Sequence, residues 1–315
     1  MRFWTQRAVC PRLSVAARST GLTRPPDTLV ADVVLDGHAE VGEGPTWDPL
    51  RQRLWWVDIP LGAIHRFDPT NGRDHVVYAG QPVSAVAIRQ RGGLVLAVRD
   101  GFAVLDNGQL RMVASVEAER TENRMNDGKV DPGGRFWAGT MAFDMTPGAG
   151  ALYRLHEDYR VATVLSGLTI SNGIDWSPDG QTMYFIDSAR GSVTAFSYNG
   201  QTGAIKEPET LIVISPDEGM PDGMTVDSAG FLWVAVWAGA AVRRYSPDGA
   251  LVGEVRLPVS QVTSCAFGGP TLRDLYITTA STGLSPVQRA EQPHAGALFR
   301  VRPGVVGRQP NLCQV

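Results

Sequence analysis

What most constrains this chain is a repeat. Six short runs share one pattern, a large apolar residue followed by an aromatic or branched one: Leu54-Trp55-Trp56-Val57-Asp58, Leu94-Val95-Leu96-Ala97-Val98, Phe136-Trp137-Ala138-Gly139, Met183-Tyr184-Phe185-Ile186-Asp187, Leu232-Trp233-Val234-Ala235-Val236 and Leu275-Tyr276-Ile277-Thr278-Thr279. Their first residues are spaced by 40, 42, 47, 49 and 43 positions. A period of roughly 40–50 residues fits a four-stranded propeller blade, a unit that cannot bury its apolar faces alone and so stacks on copies of itself around an axis. Six such units predict an all-β fold, a six-bladed β-propeller.

The punctuation agrees. Asp48-Pro49, Asp131-Pro132-Gly133-Gly134, Ser177-Pro178-Asp179-Gly180 and Asp227-Ser228-Ala229-Gly230 each precede one of the runs, and Ser246-Pro247-Asp248-Gly249 follows Arg243-Arg244-Tyr245. Proline presets φ, and Asp and Gly tolerate positive φ, so such groups reverse a chain between antiparallel strands. No segment carries sustained 3.6-residue amphipathicity with caps at both ends, which argues against a helical fold. At 315 residues the chain is long for one domain, but closed all-β architectures reach this length as single units. Residues 29–315 therefore read as one propeller. Residues 1–28 read as a non-structural N-terminal extension or the product of an upstream start. They hold Arg2, Arg7, Arg12, Arg18 and Arg24 with no acid before Asp27, a bias shared with transit peptides, and lack the apolar stretch of a secretory signal.

Composition narrows the function classes. Lys and Arg total 29 against 32 Asp and Glu, a net charge of -3, without the basic excess that marks nucleic-acid binders. No apolar run approaches the roughly 20 residues of a membrane helix. The three cysteines, Cys10, Cys265 and Cys313, match no disulfide framework or zinc motif and read as free thiols in a reducing compartment. The expectation is a cytoplasmic protein, monomer or weak homo-oligomer, acting on a small molecule with no nucleic-acid or membrane partner.

Four glycine-flanked polar clusters interrupt the blade pattern: Gly42-Glu43-Gly44-Pro45, Arg124-Met125-Asn126-Asp127-Gly128-Lys129, Ile170-Ser171-Asn172-Gly173-Ile174-Asp175 and Pro221-Asp222-Gly223-Met224. Each lies about ten residues ahead of a run, which places it on or just before the innermost strand of its blade. Four blades would then bring Glu43, Asn126, Asn172 and Asp222 to the axis. All four offer oxygen, the donor that hard divalent cations prefer, and two carboxylates balance a double charge. A lone Asn-Gly or Asp-Gly is ordinarily a turn, and Asp175, Asp179, Asp227 and Asp248 read that way. What sets the four apart is their shared placement relative to the blade anchors. None of the five histidines, His38, His65, His75, His156 and His294, falls in a cluster, against a His-dependent triad or a His-rich zinc site. Cys265 has no evident histidine partner and does not read as a nucleophile.

On these stretches, together with Gly139-Thr140-Met141 and Thr263-Ser264-Cys265-Ala266-Phe267-Gly268-Gly269 as the last inner strand, the chain resembles the SMP-30/gluconolactonase/luciferin-regenerating-enzyme-like family. The motifs run in family order and span nearly all of the chain beyond its first 30 or so residues. The resemblance implies a six-bladed propeller with one divalent metal on its axis that hydrolyses a sugar lactone to the aldonic acid. It implies Glu43, Asn172 and Asp222 as metal ligands, Asp222 also as catalytic base, and Arg124, Asn126 and Asp144 as substrate-binding residues. At Asp144 relatives have a glutamate, one methylene longer, so the preferred sugar stays open. Ca²⁺ fits the oxygen donors first; Zn²⁺, Mg²⁺ and Mn²⁺ also occupy such sites. The attacking water is activated by Asp222 or by the ion itself. Two alternatives stand beside this reading: a phosphotriesterase-like calcium hydrolase and a non-enzymatic calcium-binding regulatory protein.

Overall fold

The computed structural model describes residues 27–315. Among them are twenty-five β-strands in six sheets and one short helix, Pro286–Glu291. Each sheet is a blade. Blade 1 is typical: Gly42–Asp48 lines the axis, Arg53–Asp58 and Ala63–Asp68 follow outward, and Arg73–Tyr78 forms the rim. The six inner strands are Gly42–Asp48, Val83–Ile88, Asn123–Val130, Ser171–Trp176, Met220–Val226 and Val262–Gly268, and each packs against the next until the last meets the first. The six apolar runs are the second strands. Neighbouring blades cover both their faces, and so they carry continuous apolar sequence rather than alternation; Leu94–Val98 is buried at every position.

The core follows from the same stacking. It divides into six clusters, each sandwiched between adjacent blades. Between blades 3 and 4, Trp137 and Trp176 meet edge to face with ring centroids 5.8 Å apart, a favoured geometry for paired aromatic quadrupoles. The recurrent turns also anchor this layer. Asp131 accepts from the Arg135 amide at 2.9 Å, Trp137 Nε1 at 2.8 Å and Tyr198 Oη at 2.8 Å. Asp227 does the same for Ala229 N, Phe231 N and Trp233 Nε1.

The two ends of the chain complete the ring. Asp32–Leu35 is the outer strand of blade 6, antiparallel to Leu298–Val301. Asp27–Val30 adds a fifth, parallel strand to blade 5. Regular structure thus takes in Asp27 and Thr28, at the end of the segment assigned to the extension; residues 1–26 lie outside the described residues, with Cys10 among them. At the other end, residues 302–315 cross one mouth of the channel. Asn311 Nδ2 reaches Val130 O of blade 3 at 3.0 Å, and Cys313 N reaches Ile88 O of blade 2 at 2.8 Å. Cys265 and Cys313 are both free and buried. Among the described residues, no helix is long and apolar enough to cross a membrane.

Candidate metal centre

Every inner strand carries a register shift against its second strand, at the same height in all six blades: Glu43/Thr46, Val83/Ala85, Met125/Gly128, Ser171/Ile174, Pro221/Met224 and Val262/Ser264. A bulge leaves its residue unpaired and re-aims its side chain. Asn126, Asn172 and Asp222 are unpaired residues of these bulges in blades 3, 4 and 5, Glu43 is the last paired residue before the bulge of blade 1, and all are buried. Blades 2 and 6 place Ser84 and Thr263 there, whose hydroxyls turn away to Ala97 O and Gly42 O. The Asn-Gly and Asp-Gly pairs are therefore not turns. Their glycines let adjacent inner strands approach: a Cβ on Gly173 would sit 2.5 Å from Asp222 O, and one on Gly223 would overlap the Ser264 hydroxyl.

Three of the four side chains bond across blades. Asn172 Nδ2 donates to Asp222 Oδ1, and to Ser188 Oγ at 3.1 Å. Asn126 Nδ2 donates to Ser171 O at 2.8 Å, and its Oδ1 accepts from Arg124 Nη1 at 2.6 Å. Glu43 Oε2 accepts from Gly44 N at 2.7 Å. Burial, then the neighbouring charges of Asp222 and Asp127, holds the Glu43 carboxyl well above the usual range. Asp222 is raised for the same reasons, burial first and Asp127 next. Arg124 faces both acids, and burial brings its own pKa down to about 10.

The donor set tests whether a divalent cation suits this chamber. Both carboxylates are buried and raised, Glu43 in part by Asp222 and both by Asp127, and Arg124 is the smallest of the influences drawing either one down. Asn172 Oδ1 is buried with no hydrogen-bond partner, an unmet acceptor of the kind that costs free energy unless something fills it. Among the described residues no three His, Cys, Asp or Glu side chains group as a metal cluster; this set instead joins two carboxylates to neutral amides, a donor combination suited to a hard cation. Glu43, Asn172 and Asp222 fit such an ion, with Asn126 and Arg124 beside it.

Asp144 is not brought into this group. It is exposed on the blade 3 loop, where Oδ1 accepts from Thr146 N at 2.9 Å and Thr146 Oγ1 at 2.7 Å. Those bonds hold its carboxyl below the usual range.

Asp175 corrects the turn reading. It lies on the inner strand of blade 4, nearer the far mouth of the channel, and is buried. Lys129 Nζ approaches its Oδ2 at 3.1 Å, Arg308 Nη2 its Oδ1 at 2.8 Å, and Val226 N donates to Oδ2 at 2.9 Å. Burial is the largest single influence on this carboxyl and pushes it up, but Lys129, Arg308 and the Trp176 and Val226 amides together carry it below its ordinary value. Asp127 sits between the two groups and is pushed up by burial to about 6. Sequence reasoning gave Asp127, Lys129 and Arg308 no role. The available signal was that the chain contains only two lysines and that one stands inside a polar cluster.

The SMP-30/Gluconolactonase/LRE-like region, as a family profile, matches residues 41–281. Human regucalcin is 40% identical over 292 residues, covering 90% of this chain and 98% of its own length. Among solved structures, a calcium-binding protein, regucalcin, from Agrobacterium tumefaciens superposes with a TM-score of 0.88 at 30% identity, covering 92% of this chain and 99% of its own. A luciferin-regenerating enzyme superposes with a TM-score of 0.85 at 33% identity, covering 91% and 99%. With its six-bladed fold and these matches along nearly its whole described length, the chain belongs to the SMP-30/gluconolactonase/LRE-like family.

Proposed function

We propose that this protein hydrolyses a sugar lactone to the corresponding aldonic acid, with a divalent cation held by Glu43, Asn172 and Asp222. The observation that carries the reading is the pair of buried, raised carboxylates, Glu43 and Asp222, in a chamber where the Asn172 amide oxygen has no protein partner. Family membership and the calcium-binding description of the Agrobacterium tumefaciens relative support it. Calcium suits a shell of oxygen donors best; Mg²⁺, Mn²⁺ and Zn²⁺ are compatible.

When bound, the cation supplies Lewis acidity toward an ester carbonyl. The remaining work falls to the chain. Asp222, whose carboxyl burial raises above the ordinary range, is the carboxylate placed to accept a proton from the attacking water as general base. The water oxygen bonds to the carbonyl carbon, the ring C–O bond breaks, and the ring oxygen leaves as a hydroxyl after taking up a proton. Arg124 and the Asn126 it bonds hold the sugar hydroxyls, fixing the carbonyl against the water. Asp144 holds Thr146 through Oδ1 and has Oδ2 to offer a hydroxyl from its exposed loop.

The test is turnover of a panel of aldonolactones by cation-stripped protein with each cation restored, beside an organophosphate ester. Asp222→Ala is expected to lose lactone turnover by at least about a thousandfold and to bind calcium more weakly. Parent-like turnover in that variant removes Asp222 from the chemistry. Calcium binding with no turnover of any lactone overturns the lactonase reading in favour of a calcium-binding role, and preference for the phosphotriester overturns it in favour of that hydrolysis.

A further inference from the structure

The segment entering blade 3 holds a carboxylate that the chemistry above does not use. Glu117 lies in the loop before Asn123–Val130, and its side chain is only 9% exposed although its neighbours Ala118, Glu119 and Arg120 are exposed. Its backbone is in the left-handed region, at φ 52°, where a residue other than Gly, Asn or Asp is uncommon and carries a conformational cost. Glycine would meet that backbone without strain. A glutamate there points to a task for the carboxylate.

Its bonds show the task. Oε1 accepts from Tyr153 Oη at 2.7 Å and from Thr140 Oγ1 at 3.2 Å; Oε2 accepts from Asn123 Nδ2 at 2.7 Å. Asn123 Nδ2 continues to Ala149 O at 3.0 Å, and Arg120 Nη1 reaches the same carbonyl at 3.1 Å. Phe143 N closes the set on Glu122 O at 2.9 Å. One carboxylate thus ties three strand ends together: the start of the inner strand, where Asn123 immediately precedes Arg124; the second strand at Thr140; and the third at Tyr153. Through Asn123 it also pins the loop that carries Asp144. Both elements that face the sugar in the lactonase reading hang from it. The strands that supply Glu43, Asn172 and Asp222 do not.

We infer that Glu117 is a positioning residue for the substrate, which fixes Arg124, Asn126 and the Asp144 loop while leaving the cation ligands independent. The inference rests on the lactonase reading for its kinetic arm. A glutamine at 117 keeps an oxygen for Asn123 Nδ2 and turns its amide toward the Tyr153 and Thr140 hydroxyls, which can accept as well as donate, so Glu117→Gln is the conservative variant.

The experiment compares the parent protein with Glu117→Ala, Glu117→Gln and Glu117→Gly, the last guarding against an alanine variant that fails to fold at positive φ. KM for the best lactone of the panel is expected to rise about tenfold or more in the alanine and glycine variants, kcat to fall by less than about threefold, and calcium affinity by calorimetry to stay within about threefold. Glu117→Gln recovers most of the loss in KM. An unchanged KM in a folded variant, or calcium affinity falling in step with KM, overturns the inference. If the parent turns over no lactone, the lactonase reading fails and hydrogen exchange decides this one: the Met125 and Phe143 amides, bonded to Arg99 O and Glu122 O, lose protection in the alanine and glycine variants and keep it in Glu117→Gln, whereas protection kept in all three overturns it.

Discussion

Asp175 and Asp222 stand on the inner strands of adjacent blades, and both are buried, yet their carboxyls are driven in opposite directions. Burial acts on each as the largest influence and raises each. The difference is what the fold places around them. Asp175, toward the far mouth, meets Lys129, Arg308 and two backbone amides. Asp222 meets a neutral amide from Asn172, while nearby Asp127 raises it further. One chamber is neutralised from within the chain, the other calls for positive charge from outside it. The inner strands thus carry a carboxylate neutralised from within the chain toward one mouth and, in the proposed reading, cation ligands toward the other. Asp127 divides them: Lys129 draws it down from below, and its own charge raises Glu43 and Asp222 above.

This contrast breaks first if the chambers are not independent. Asp175→Ala leaves Lys129 and Arg308 without their shared carboxylate, and removing one partner of a buried ion pair costs about 3–5 kcal/mol. Denaturant unfolding is expected to show a loss of that size, with calcium affinity of the folded variant near the parent's. A collapse of calcium affinity at unchanged stability would merge the two chambers into one site.

The response to pH sharpens it. Glu43 and Asp222 have raised folded-state pKa values, so in protein stripped of divalent cations their contribution to stability is fully present below the ordinary carboxylate range. It is lost as pH rises through the raised values, at about 1.4 kcal/mol per pH unit for each proton released. Asp175 runs the other way: its pKa is lowered, so its contribution is present above about 3.9 and lost as pH falls through the folded value. In the proposed site calcium competes with the protons of the first chamber. The gain in Tm on adding calcium is therefore expected to grow as pH rises from the ordinary carboxylate range through the raised values, because the ligands shed their protons over that rise. A calcium effect independent of pH would show that the two raised carboxyls are not where the ion binds.

The smallest effect separates two residues on blade 3. Arg124→Ala is expected to raise KM by about tenfold or more with calcium affinity nearly unchanged, and Asp144→Ala by less than about threefold, because Asp144 is exposed and one of its oxygens is held by its own turn. A larger Asp144 effect in steady-state kinetics would mean that the loop rearranges around the sugar.

The legible part of the site was the part written as pattern. Glu43, Asn126, Asn172 and Asp222 could be singled out because each sits at a fixed distance ahead of an apolar run, and the bulges explain that spacing: a repeated strand carries its irregularity at a repeated height. Asp175 was misread because the Ser, Asn, Gly and Asp of Ser171-Asn172-Gly173-Ile174-Asp175 are turn-forming residue types, while its strand role depends on Arg308, 133 positions away. Glu117 has no local signature either. Its partners Thr140 and Tyr153 belong to other strands, and its positive φ is a property of the folded backbone.

By itself the sequence determined the period, and with it the blades, the apolar second strands and the oxygen-bearing residues presented to an axis. Periodicity is local, and a chain records it directly in the order of its residues. Only the tertiary structure decided which of those polar groups are neutralised and which are left wanting, because charge balance in a buried channel depends on distances between strands far apart in sequence. The pairing of Asp175 with Lys129 and Arg308 and the partnerless Asn172 oxygen arise only once blades have packed together, and the Glu117 network only once the strands of blade 3 have paired.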